Sequence, residues 1–219
     1  KTDKQKNKHG ISTFIVEKTF EGFSVAQKLD KMGWRGSPTG ELVFDDCRVP
    51  AGNLVGDENR GNIVMMSGLD VERVIGAFYA LGITQRALDL SVEYARNRKQ
   101  FGESIGNFQM VQALLADMYT DLETMRALTY QLGREIQNIG KGEGGRGVIH
   151  KRSAAAVLHA GRASMRVLDS AVQIHGGMGF MRESEVNRLY RSGKVLEIGA
   201  GTNQVRQLIV AAELLKESV

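Results

Sequence analysis

Between residues 107 and 137 the apolar side chains Phe108, Val111, Leu114, Leu115, Met118, Leu122, Met125, Leu128, Leu132 and Ile136 recur mostly at intervals of three and four. That spacing puts them on one stripe of a long helix, a pattern that a strand, with its two-residue period, cannot produce. Similar patterns cover about 60–97 and about 148–175, with a shorter one over 201–216. The stretch "NIGKGEGGRG", about 138–147, reads as a flexible turn between two of them. Long helices joined by short loops pack as an antiparallel bundle, so residues 59–219 are expected to form a mainly α domain of four-helix-bundle type.

The first fifty residues follow a different rule. "ISTFIVE" (11–17), "GELVFDDCRV" and, more weakly, "FSVAQKLD" are rich in β-branched and aromatic types, and Gly22, "GWRGSPTG" and "PAGN" punctuate them. Three strands alone leave long unpaired edges, which points to partner strands upstream of Lys1 and to residues 1–58 being part of a β domain. The chain does not open with Met and reads as a piece of something longer.

Composition narrows the class of partner. Hydrophobic residues make up 42% and charged residues 25%, the balance of an ordinary globular chain, and no run approaches the roughly 18 apolar residues that span a bilayer. Much of the net charge of +4 sits in "KTDKQKNKH", which reads as a solvated loop and not as a nucleic-acid arm. Cys47 is the sole cysteine, so no internal disulfide or cysteine-based zinc site exists and a reducing compartment is indicated. Asp45 and Asp46 beside it would raise a thiol pKa, which argues against a nucleophile. A di-iron carboxylate bundle needs Glu-x-x-His, but Lys6, Gly147, Ala156 and Val172 stand three residues before His9, His150, His159 and His175, so no metal is expected.

Four stretches could carry chemistry, each with a plainer reading beside it. In "QIHGGMGF" (173–180) the glycines suit either a helix C-cap or a close backbone approach to phosphate. In "ARNRKQFG" (95–102) the cations suit a helix C-terminus, while Arg98 and Phe101 would also clamp a pyrophosphate and an adenine. In "SGLDVERVIGA" (67–77) Asp70, Glu72 and Arg73 interrupt an apolar helix, as a surface face with local ion pairs or as functional groups. "LEIGAGTNQVRQL" (196–208) loses its side chains at Gly199, Ala200 and Gly201, directly before Thr202, Asn203 and Gln204.

Taken in order, "FIVEK", "KMGWRGSPTGELVFDDCRVP", "MSGLDVERV", "RKQFG", "FQMVQALLADMY", "QIHGGMGF" and "EIGAGTNQVRQLIVA" resemble the acyl-CoA dehydrogenase family, most closely its isovaleryl-CoA branch, across almost the whole chain. The resemblance implies an N-terminal helical domain, a middle antiparallel β-barrel domain and a C-terminal four-helix domain, with this chain starting partway through the middle one. It implies FAD-dependent α,β-dehydrogenation of an acyl-CoA thioester, electron-transfer flavoprotein as electron acceptor, and a homotetramer built as a dimer of dimers. The compartment would be the mitochondrial matrix in a eukaryote and the cytoplasm in a bacterium.

The same resemblance assigns residues. Many members carry the catalytic glutamate at the position of Ala200, whereas the isovaleryl and long-chain branches carry it on the helix of "LDVER", where Glu72 matches it. Glu197 is the rival base. Gly199 stands where straight-chain members often carry tyrosine, leaving room beside the acyl group for a methyl branch. Asp70 and Arg73 match positions that hold the pantetheine and adenosine part of CoA. Arg98 and Phe101, with Gln173 and Gly177 nearby, match positions that reach the FAD of a neighbouring subunit, and Thr202 and Gln204 match positions that meet FAD from the near side. Val195 and Leu196 differ from the leucine and tyrosine of isovaleryl enzymes, and Ser192 from the usual aspartate. A dehydrogenase of longer or terpenoid branched acyl-CoAs, or a non-catalytic FAD-binding or oligomerising fragment, remains an alternative.

Overall fold

A computed structural model describes residues 1–137 and 147–216. The expected turn at 138–147 lies almost wholly outside the described residues. The chain divides into two compact units, Lys1–Leu69 and Asp70–Val219.

The first unit holds four short strands: β1 (Thr13–Phe14), β2 (Phe23–Leu29), β3 (Thr39–Phe44) and β4 (Leu54–Val55). β1 pairs with β4 and β2 with β3, both antiparallel, and no closed barrel forms among the described residues. Exposed Val25, Leu29, Leu42 and Phe44 leave the β2–β3 hairpin uncovered, as expected of strands without a full sheet. Helix α1 (Gly61–Ser67) belongs to this unit because it enters against the backbone: the Gly61 N–H donates to Ile11 O at 2.7 Å, and a Cβ at Gly61 would stand 2.7 Å from the Ser12 carbonyl carbon. The helical pattern expected over 60–97 is therefore two helices, α1 and α2 (Leu69–Asn97), separated by Gly68.

The second unit is built on α2, α3 (Gln109–Ile136), α4 (Gly147–His175) and α8 (Asn203–Leu214). Between them lie a small hairpin, β5 (Lys99–Gln100) with β6 (Glu103–Ser104), and three shorter helices, α5 (Gly177–Phe180), α6 (Glu185–Gly193) and α7 (Val195–Ile198). The stripe read from the sequence is the one that packs: Met118, Leu122, Met125 and Leu132 of α3 are each 1% exposed. Opposite them α4 presents Ala156, Ala160, Ala163 and Ala171, and α2 presents Ala77, Ala80, Ala87 and Ala95, all buried. Large residues on one helix against small ones on the next let the backbones approach while keeping the interior filled. Thr84 joins α2 to α4 from within, its hydroxyl bonded to Ala80 O at 2.7 Å and to Ser164 Oγ at 2.9 Å.

Helices α4 and α7 meet closely at Gly161 of α4, where a Cβ would stand 2.9 Å from the backbone oxygen of Leu196 in α7. Backbone cannot move aside as a flexible side chain can. Gly161→Val is expected to cost about 2–3 kcal/mol by overpacking, read as a lowered midpoint in urea. Gly82→Ala, in helix α2 with nothing within 4 Å of the added methyl, is expected to gain about 0.5–1 kcal/mol in the same assay.

Candidate active site

Residues 195–206 turn from α7 into α8, and one side chain fixes that turn. Arg206, 2% exposed, donates from Nη1 to Leu196 O at 2.6 Å and to Asn203 Oδ1 at 3.0 Å, and from Nη2 to Gly199 O at 2.8 Å. Carbonyls at a helix C-terminus lack intrahelical partners, and the guanidinium supplies them. Thr202 caps α8, its Oγ1 accepting from Val205 N at 3.2 Å, as its place before a helix predicts. With both flanks held, Ala200 adopts φ 51° and Gly201 φ 97°. A left-handed φ is uncommon for any residue with a Cβ, and such strain persists only where the surroundings impose it. Ala200 is exposed. A Cβ at Gly199 would stand 3.0 Å from Val195 O, so that glycine relieves the turn as well as leaving room around it.

A second buried cation, Arg73, stands at the start of α2. The pKa of Arg206 is lowered by burial first and next by the charge of Arg73, with Glu197 opposing, which brings Arg73 within electrostatic reach. Arg73 itself is 6% exposed and donates from Nη1 to Asp70 Oδ1 at 2.8 Å. The same oxygen accepts from His150 Nδ1 at 2.8 Å and from Ser153 Oγ at 3.2 Å, both on α4. The side chains expected to meet CoA are thus turned into the bundle as a buried ion pair, not spread over a surface helix face. Glu72, between them, is exposed and has no hydrogen bond or ion pair to the described residues. Glu197, the rival base, is committed: Oε2 pairs with Lys194 and Oε1 accepts from Asn203 Nδ2 at 3.3 Å.

A second feature lies where α2 and α4 end. Arg98, His175 and Gly177 line a groove of about 540 Å³ together with Tyr94, Ile105 and Met178. Helix α4 stops at His175 and Gly176 turns at φ 55°, so the glycine cluster is a helix cap. That same cap leaves Gly177 with open space where a Cβ would be, so the cap and the ligand-approach readings coexist. The Arg98 side chain is exposed, with no partner among the described residues. Phe101 sits at the tip of the β5–β6 hairpin with φ 54° and is 93% exposed. Gln173 and Gln204 are exposed on α4 and α8, outside the groove lining.

Sequence reasoning missed Arg206, His150 and Tyr94. Arg206 had a signal: a cation in the opening turn of a helix opposes the dipole and therefore needs another reason to be there.

Residues 59–215 match the acyl-CoA dehydrogenase C-terminal domain. The chain belongs to the acyl-CoA dehydrogenase family. It is 46% identical to mitochondrial isovaleryl-CoA dehydrogenase of Oryza sativa subsp. japonica, over 99% of this chain and 51% of that protein. Acryloyl-CoA reductase (NADH) of Anaerotignum propionicum is 40% identical over 98% of this chain and 53% of its own length. Butyryl-CoA dehydrogenase of Megasphaera elsdenii superposes with a TM-score of 0.89 at 39% identity, covering 98% of this chain and 54% of that one. The chain spans about half the length of the curated acyl-CoA dehydrogenase relatives it matches.

Removing the counter-charge inside the bundle tests the buried pair. Asp70→Asn leaves Arg73 without its carboxylate and is expected to cost about 3–5 kcal/mol, measured by chemical denaturation.

Proposed function

We propose that the full-length protein dehydrogenates a short branched-chain acyl-CoA, isovaleryl-CoA first among candidates, with Glu72 taking the α-proton. The observation that carries this is the disposition of three positions. Ala200 offers a methyl on a turn held open by Arg206, Glu197 is tied to Lys194 and Asn203, and Glu72 is an exposed carboxylate without a partner among the described residues, next to the buried Arg73. A carboxylate can serve one substrate carbon from either of two facing helices when the other position is vacant. An acyl group seated against Glu72 would exclude water from the carboxylate as it takes the proton. Asp70 and Arg73 fit a role in fixing the first turn of α2, from which Glu72 projects.

The residues fit FAD. Arg98 offers an unpaired guanidinium for phosphate oxygens, Gly177 allows backbone to approach, and the capped N-terminus of α8 at Thr202, followed by exposed Gln204, favours an anion. When bound, the flavin accepts the hydride lost from the β-carbon. Arg98, Phe101 at the tip of the β5–β6 hairpin, Gln173 and Gly177 are assigned to the cofactor of a neighbouring copy, so a homo-oligomer, a tetramer by likeness to the family, belongs to the proposal. Electron-transfer flavoprotein is the proposed acceptor. The mitochondrial isovaleryl-CoA dehydrogenase of rice supports the branched substrate class.

Anaerobic mixing of the full-length holoenzyme with isovaleryl-CoA should bleach the flavin, and a series of longer branched acyl-CoAs fixes the preferred chain. Glu72→Gln is expected to keep flavin while slowing that bleaching by about 100- to 10,000-fold. Ala200→Glu in the same background should restore part of the rate. A Glu72→Gln rate within a few-fold of the parent refutes the assignment.

A further inference from the structure

We propose that His175 Nε2 is a hydrogen-bond acceptor that selects an adenine ring in the groove at the ends of α2 and α4; this rests on the reading of that groove as a flavin dinucleotide site. His175 is the last residue of α4. Its Nδ1 lies 2.7 Å from Ala171 O, an atom that can only accept, so Nδ1 carries the ring proton. In a neutral imidazole the lone pair is then on Nε2. Burial lowers the pKa of His175 and so favours the neutral ring.

The ring plane is fixed as well. Tyr94 of α2 stacks on His175 with centroids 4.3 Å apart and planes 28° from parallel. One face of the imidazole is therefore covered, its Nδ1 edge is used by the helix, and Nε2 has no partner among the described residues. His175 and Tyr94 both line the groove, whose volume of about 540 Å³ lies in the range of small-ligand pockets. Its other lining residues supply apolar contact from Ile105, Ile174, Met178 and Met181, a cation from Arg98, and an amide from Gln100, whose Nε2 donates to Lys99 O at 2.8 Å. Apolar walls suit a flat ring, the guanidinium suits phosphate, and an acceptor held in a fixed plane suits a ligand that donates from its ring edge.

Adenine meets that requirement because its C6 substituent is an amino donor. Hypoxanthine presents a carbonyl oxygen at the same place, where it would face the Nε2 lone pair with no proton between them. Hypoxanthine also carries a proton on N1, one atom along the same edge, so the preference for adenine reads Nε2 as set opposite the C6 substituent and not opposite N1. A hydrogen bond lost and an acceptor left unsatisfied correspond to about tenfold in affinity.

The test uses full-length protein stripped of flavin and titrated with FAD or with flavin hypoxanthine dinucleotide, binding being read from quenching of flavin fluorescence. The wild-type protein is expected to prefer FAD by about tenfold. His175→Phe keeps a ring to stack on Tyr94 and removes the acceptor, so its preference should fall to about twofold or less, mainly through weaker FAD binding. Equal affinity of the wild-type protein for both dinucleotides overturns the proposal even should the variant fail to fold, and so does a His175→Phe protein that keeps the full preference. Binding of neither dinucleotide overturns the flavin reading beneath it, a result distinguishable from tight binding without discrimination.

Discussion

The guanidinium of Arg206 holds the carbonyls of Leu196 and Gly199 at 2.6 and 2.8 Å, and the geometry of the candidate site follows from those two bonds. Helix α7 is one turn long and cannot satisfy its own terminal carbonyls, while the chain must reverse immediately into α8. A cation in the first turn of α8 opposes the helix dipole, and burial adds desolvation. Charge-assisted bonds to three oxygens, with Glu197 nearby, offset that cost. The consequence is a turn with Ala200 held in a left-handed conformation and its methyl exposed. A residue with a longer side chain is not needed there to stabilise the turn, so the position is free to carry or to lack a functional group.

Helix α4 carries this arrangement across the unit. Its first turns reach Asp70 through His150 and Ser153, its middle accepts α7 against Gly161, and its end lines the groove with His175 and Gly177. Alanines and a glycine along its length allow each of these approaches, since larger side chains would separate the helices. The Asp70–Arg73 pair lies within α2 and is weak support for stability, whereas the bonds from His150 and Ser153 of α4 to Asp70 bear on the register of the two helices. That register leaves Glu72 outward while its two charged neighbours point in.

Much of this was legible in the sequence, and the gaps have physical causes. The stripe of α3 was readable because its helix buries one face only, and Thr202 announced its cap because a hydroxyl before a helix has few other uses. The β5–β6 hairpin was not readable: its turn puts Phe101 at a positive φ that Asn or Gly normally signals. Helix α6 hides in a charged run, although Val186, Leu189 and Gly193 already mark its buried face at helical spacing. The charged residues of "LDVER" were legible as functional candidates, but which of them points inward depends on His150 and Ser153, eighty residues away. Arg206 left only the signal of a cation at a helix start, because two of its three acceptors are backbone oxygens, which leave no mark in a residue pattern.

The proposed chemistry requires a carboxylate that reaches the substrate from α2 into space that Ala200 leaves empty. The most direct measurement is a crystal structure of the full-length holoenzyme with an acyl-CoA whose β-carbon is replaced by sulfur, so that the ligand binds without turning over. The account predicts a Glu72 carboxylate oxygen about 3–3.5 Å from the ligand α-carbon, with the Ala200 methyl facing the same carbon. A Glu72 side chain directed away from that carbon, with another carboxylate in reach of it, would contradict the account.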